Sequence, residues 1–198
     1  MPMTLSGDGT ITGLSVGGLP DGSVSAADLA SGAARSNFGA GAVLQVVQAY
    51  KTDTQTISSG TPTFVDITGL SVTITPTSSS SKFLIMWSVV MGGGTDATHG
   101  YVRLNRNGTA IALANAASNR TTASSGVVNT AVAGQTIPST NSYLDSPATA
   151  SAITYKLTAS NNNAGGSSTF INRSSRDTDL TGYDGRSTSN ITVLEIAG

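Results

Sequence analysis

Residues 82–91, KFLIMWSVVM, form the longest apolar run in the chain. At the two-residue period of a strand, Phe83, Ile85, Trp87 and Val89 share one face, and Leu84, Met86, Ser88 and Val90 the other. An antiparallel strand normally shows water one face, so a strand apolar on both sides needs two covers, its own sandwich core and a second layer. In a chain of this size, another copy of the same chain is the expected second layer. Phe83, Ile85, Trp87, Leu84 and Met86 are therefore read as core and subunit-contact residues.

From residue 43 onward short strands alternate with clusters of Ser, Thr, Gly, Asn and Pro. Strands are predicted at 43–50 (VLQVVQAY), 54–57, 62–67 and 70–75, the last alternating Leu70, Val72 and Ile74 with Ser71, Thr73 and Thr75. After 82–91 a polar loop carrying His99 leads to 101–106 (YVRLNR), in which Tyr101, Arg103 and Asn105 face away from Val102 and Leu104. Asn107-Gly108 then signals a hairpin into 109–113, because both residues tolerate the positive φ of a tight turn. Further strands read at 126–133, around Tyr143, at 153–159 (ITYKLTA), at 168–173 (STFINR) and at 190–196 (NITVLEI). The first and last strands of the body, 43–50 and 190–196, are apolar and are expected inside a sheet, beside each other. Short strands in this number, without a long helical period, predict an all-β fold: a jelly-roll-like antiparallel β-sandwich over 42–198.

Residues 1–41 differ in texture. Glycines punctuate isolated apolar residues, among them Ile11, Leu14, Val16 and Leu19, which are too sparse to build a core. A flexible linker gains nothing from spaced Ile, Leu and Val, whereas an extended stalk places such residues against their symmetry mates on a threefold axis. The segment is read as that stalk. Ser25 as cap, Asp28 three residues on and Gly32 as terminator predict a helical turn or two over 25–31. The string ITGLSV occurs at 11–16 and again at 67–72, but the flanks differ and the residues are common here, so it is read as coincidence.

Composition narrows the partners. The charged fraction of 11% is far below the roughly 25% usual for soluble domains. Glu195 is the one glutamate and lysine occurs three times, so the residues that populate solvent faces of helices are missing. Net charge is −1 and the basic residues are scattered singly, which leaves no field to gather phosphates; nucleic acid is not an expected partner. Without cysteine there is no disulfide and no thiolate metal site. The first residues, MPMTLSGDGTITG, carry neither a basic n-region nor an apolar h-region, so export by signal peptide is not expected. The run 82–91 is too short to span a bilayer, and membrane insertion is not expected either.

Candidate chemistry is thin. Nucleophilic catalysis needs a base, and the one histidine, His99, has no Gly-x-Ser-x-Gly elbow to serve; it reads as a loop residue or a ligand contact. Asp177, Asp179 and Asp184 begin like a calcium loop, but Thr188 stands where a bidentate Glu would close it, and the acids balance Arg173, Arg176 and Arg186. A carboxylate pair for glycoside hydrolysis lacks an aromatic-lined cleft. No phosphate-binding or dinucleotide fingerprint is present. No cofactor, no metal and no enzymatic activity are expected. Tyr183 beside Asp184 and Arg186 is a composition suited to sugars or protein surfaces, since tyrosine offers an apolar plane and a hydroxyl at low entropic cost.

Several segments resemble trimeric β-sandwich heads of fibres in tailed-bacteriophage virions. They are 43–50 (VLQVVQAY), 70–86 (LSVTITPTSSSSKFLIM), 101–111 (YVRLNRNGTAI), 154–159 (TYKLTA) with Asn172-Arg173-Ser174, and 191–197 (ITVLEIA). Residues 18–33, GLPDGSVSAADLASGA, are similar to the linker that often precedes such heads. More remotely the head resembles complement-type and tumour-necrosis-factor-like trimers. The resemblance implies a homotrimeric jelly roll on a virion, made in the host cytoplasm and released by lysis. It implies a host-surface glycan or protein as one partner, and a tail, baseplate or capsid protein as another. Leu5, Ile11, Leu14, Val16 and Leu19 would dock the N-terminal segment on the particle; His99, Tyr101, Tyr183, Asp184 and Arg186 would face the receptor. The alternative is a decoration or cement protein that clamps capsid subunits, which the shortness of the N-terminal segment would also suit.

Overall fold

The computed structural model describes residues 39–93, 99–128, 133–162, 166 and 168–198, together with two short strands nearer the N-terminus. The chain divides into two units, Met1–Gly39 and Ala40–Gly198. In the first, β1 (Thr4–Leu5) pairs antiparallel with β2 (Ile11–Thr12), which sets Leu5 opposite Ile11. Leu14, Val16, Leu19 and the turns expected over 25–31 lie outside the described residues.

The second unit is an antiparallel β-sandwich. Its strands are β3 (Val43–Lys51), β4 (Gln55–Ile57), β5 (Val65–Ile74), β6 (Lys82–Gly92), β7 (His99–Arg106) and β8 (Thr109–Ile111), followed by β9 (Ser125–Val128), β10 (Thr136–Asp145), β11 (Ile153–Asn161), β12 (Thr169–Ile171) and β13 (Ser189–Ile196). One sheet runs β3-β13-β6-β10, with β12 continuing the β13 edge of β6 and carrying β4. The other runs β5-β11-β7, with β8 and β9 sharing the far edge of β7. The pairs β3·β13, β5·β11, β6·β10 and β7·β9 nest one inside the next, first strand with last and so inward, which is the wrapping of a jelly roll.

The core lies between the sheets. Phe83, Ile85, Trp87, Val89 and Met91 of β6, with Ile191 and Val193 of β13, bury one row. Ile67, Leu70, Val72 and Ile74 of β5, Val102 and Leu104 of β7, and Ile153, Tyr155, Leu157 and Ala159 of β11 complete it. Each large side chain removed from water here contributes about 1.5–3 kcal/mol. Trp87 also satisfies its one polar atom, Nε1 donating to Ser125 Oγ at 3.1 Å.

Three expectations change in detail. The strands expected at 62–67 and 70–75 are one strand, β5: Gly69, at φ +86°, forms a bulge opposite the register shift between Lys156 and Thr158, so the glycine bends the strand without ending it. His99 is not in a loop but opens β7, opposite Val128. Around Tyr143 stands a full-length strand, β10, which pairs β6 from Thr136↔Gly92 to Asp145↔Phe83. The Asn107-Gly108 hairpin has the positive φ values, 48° and 85°, that its turn requires, and Asn107 Oδ1 accepts the Thr154 amide at 2.8 Å.

Strand direction gives the sandwich two distinct ends. Val43 pairs with Ile196 where the body begins and finishes; Lys51 pairs with Ser189, and Gly92 with Thr136, at the opposite end. Residues 133–135 and the connection 172–188 therefore lie at the end away from Ala40, and His99 opens its strand there, since Gly100 sits against Met91 near the end of β6.

Candidate functional site

The 172–188 connection is built around two buried polar groups. Asn172, fully buried at φ +62°, donates from Nδ2 to the carbonyls of Lys51 (3.0 Å) and Asp53 (2.9 Å), and accepts at Oδ1 from Ser189 Oγ (2.6 Å). It roots the connection to β3 and β13. Asp184 gathers the distal part. Its carboxylate accepts from Ser174 Oγ (2.7 Å), Arg176 Nε (2.8 Å), the Thr178 amide (3.3 Å) and the Thr178 hydroxyl. Arg176 first, then Thr178 and Ser174, hold the carboxyl well below the usual carboxylate range. With 3% of its side chain exposed, Asp184 organises the loop. Arg186 pairs with Asp177 at 2.8 Å and remains exposed.

This rigid loop holds Tyr183 out. Tyr183 is 71% exposed, and the Arg176 guanidinium carbon lies 5.8 Å from its ring centroid. Arg176 N and Ser175 Oγ donate to the Ala133 carbonyl, which docks the loop on the β9–β10 connection. Tyr183, Arg176, Gly134 and Gln135 line an open pocket of about 420 Å³. A second, smaller pocket on the same loop is lined by Asp177, Asp179, Leu180, Asp184 and Arg186 among others.

His99 and Tyr101 share a face of β7, ring centroids 6.4 Å apart, both half-buried. The His99 amide donates to Asn162 Oδ1 at 3.2 Å. The structure thus brings Tyr183, Asp184 and Arg186 into one loop and His99 with Tyr101 onto one strand. Among the described residues, no group of three or more His, Cys, Asp or Glu is placed to hold a metal ion.

The outer face of the β3-β13-β6-β10 sheet is the other feature of note. The registers align Val46, Leu194, Leu84 and Leu144 in one row across the four strands. Val43 and Ile196 flank it on one side and Met86 on the other. Of the eight large exposed apolar or aromatic side chains among the described residues, five (Val43, Val46, Tyr50, Met86 and Leu144) lie on this face. Leu84 and Met86 belong to it, whereas Phe83, Ile85 and Trp87 are buried in the core. Sequence reasoning did not pick out Val46, Leu144, Leu194 or Gln135. Leu194 had a partial signal: in 190–196, Ile191 and Val193 are apolar on one face and Leu194 and Ile196 on the other. Arg176 was expected to balance the loop's acids and pairs with Asp184; its place in the pocket lining had no signal.

No protein-family model matches the sequence. No curated protein matches it either. Among solved structures the chain is similar to one of infectious bursal disease virus, Gx strain, at 13% identity and a TM-score of 0.43, over 78% of this chain and 32% of that one. It is also similar to one of the Gt strain of the same virus, at 12% identity and a TM-score of 0.44, over 77% of this chain and 42% of that one. The chain spans less than half the length of either.

Proposed function

We propose that the chain is a non-enzymatic structural protein of a bacteriophage particle: a short homotrimeric appendage that docks through its N-terminal segment and presents the far end of the sandwich to a host-surface glycan or protein. The observation that carries this reading is the outer face of the β3-β13-β6-β10 sheet. An exposed apolar row across four strands costs free energy in a single chain and stabilises a subunit contact. Lys82 is the one charged side chain on that face, which suits contact with identical copies better than with a charged partner. The two ends of the sandwich support the rest, since the body joins the preceding residues at Ala40, opposite the loop that carries Tyr183. The resemblance of residues 43–50, 70–86 and 191–197 to fibre heads supports the viral setting.

Sedimentation velocity at micromolar concentration should show a trimer; a stable single chain would overturn the assembly. Immunogold labelling of intact particles should mark the tail or a vertex appendage. Label spread evenly over the capsid would replace the appendage with a cement protein, and particles without label would end the virion assignment. Deleting residues 2–20 should leave the trimer intact and abolish its incorporation into particles.

A further inference from the structure

We infer that the pocket of Tyr183, Arg176, Gly134 and Gln135 is a subsite for one neutral pyranose ring of a glycan, stacked on Tyr183. This deepens the host-contact reading and rests on it. The volume, about 420 Å³, falls within the roughly 300–1,000 Å³ of small-ligand pockets.

The platform is set before any ligand arrives. Asp184 ties Ser174, Arg176 and Thr178 together, and two donors fix the loop to the Ala133 carbonyl, so little ordering remains to be done on binding. On that platform a large aromatic ring is 71% exposed, with the Arg176 guanidinium 5.8 Å from its centroid. The C–H face of a pyranose is the complement of such a plane. Its hydroxyls need donors at the ring's edge. A guanidinium carries five N–H donors in a fixed fork; Asp184 takes the one on Nε, and Nη2 lies beside Gly134 in the pocket lining. Gln135 also lines the pocket. Gly134 leaves room for this geometry: a Cβ there would stand 3.0 Å from Arg176 Nη2 and 3.3 Å from the Tyr183 carbonyl, so the fork would have to give by a few tenths of an ångström.

The charges select a neutral sugar. Arg176 is paired with Asp184, and Arg173 and Arg186 are both paired with Asp177. With Asp179 the segment 172–188 holds three arginines and three aspartates, so it carries no net charge to draw a carboxylate or phosphate.

The test is saturation-transfer NMR on the full-length chain with methyl hexopyranosides of the gluco, galacto and manno series, against a methyl glucuronide and a methyl sialoside. At least one neutral hexoside should show transfer, and the acidic sugars less. Tyr183→Ala and Gly134→Val should each weaken binding at least tenfold. Tyr183→Ala alters an exposed ring and should melt with the parent, so its loss of binding would not report unfolding. No transfer to any neutral hexoside, stronger transfer to the acidic sugars, or transfer indifferent to Tyr183→Ala would overturn the subsite. Adsorption of the labelled chain to host cells separates this from the broader reading: equal adsorption by parent and Tyr183→Ala sinks the subsite alone, whereas hexoside binding without adsorption sinks host contact alone.

Discussion

Ser189 Oγ donates to Asn172 Oδ1 at 2.6 Å, and both residues are fully buried. The same serine oxygen accepts the Val90 amide at 2.9 Å, while Asn172 Nδ2 reaches the carbonyls of Lys51 and Asp53. Two side chains thus hold together the end of β3, the middle of the sheet at β6, the start of β13 and the loop that carries Tyr183. A buried polar group left without its partner costs about 1–3 kcal/mol. Asn172→Ala orphans two carbonyls and a hydroxyl at once and should destabilise the chain by about 3 kcal/mol or more. Ser189→Ala should cost about 1–2 kcal/mol. Urea unfolding of the two single variants and the double should show strong non-additivity, because the second substitution removes a partner already lost.

The paired strands β6 and β10 should separate folding from assembly. Trp87 is 3% exposed in the core, and Trp87→Ala should cost about 3–5 kcal/mol through the cavity it opens. Leu144, on the outer face opposite Leu84, is 52% exposed. Leu144→Asp should keep the far-ultraviolet signature of the sandwich while sedimenting as a single chain. A trimer that survives Leu144→Asp would move the subunit contact to another face.

Gly92 is fixed by packing against the loop. A Cβ there would fall inside the van der Waals radius of the Arg173 carbonyl oxygen and 3.0 Å from Ser174 Cα. Both obstacles are backbone, so neither can rotate away. Gly92→Ala should cost about 1–3 kcal/mol by overpacking, read as a lowered melting temperature, with the amides of 172–188 losing hydrogen-exchange protection first. The Asn172 amide, which donates to the neighbouring Val90 carbonyl, is the most sensitive reporter.

What the sequence made legible follows from where packing alone decides. β6 shows through because its apolar residues repeat at the strand period, and the Asn107-Gly108 turn because few residue pairs accept φ values of 48° and 85°. β10, TIPSTNSYLD, was faint because its inward positions are themselves polar: Ser139 Oγ bonds Ser125 Oγ, and Asp145 takes Arg106 and the Tyr155 hydroxyl. Such a strand is specified by partners far away in sequence, which a local pattern does not record. Tyr183 stood out by its chemistry. The inward turn of Asp184 did not, since spacing cannot tell a carboxylate that ties a loop from one that greets a ligand.

The same limitation of spacing applies to the two acids that should govern the response to low pH, one at each end of the sandwich. Glu195 is fully buried and accepts the Thr77 amide and hydroxyl, each at 2.7 Å, and the Gln45 amide. Burial pushes its pKa up, but the Ser81 and Thr77 hydroxyls, the Thr77 amide and Gln45 outweigh it and hold the carboxyl below its usual range. A folded pKa below the unfolded one, roughly 4 for a carboxyl, means stability that is fully present above that value and is lost as pH falls through the folded pKa. Global stability by chemical denaturation should therefore stay level from pH 7 to 5 and fall below about pH 4, and Glu195→Gln should be less stable at pH 7 and fall less steeply. Asp184, depressed by Arg176, follows the same sign but acts locally: its loop should stay closed until well below the ordinary carboxylate range. Asp184→Asn should open it at neutral pH, seen as faster amide exchange over 174–186 with little change in the sandwich. A loop equally protected in the parent and in Asp184→Asn would mean that the ion pair with Arg176 does not hold Tyr183 in place.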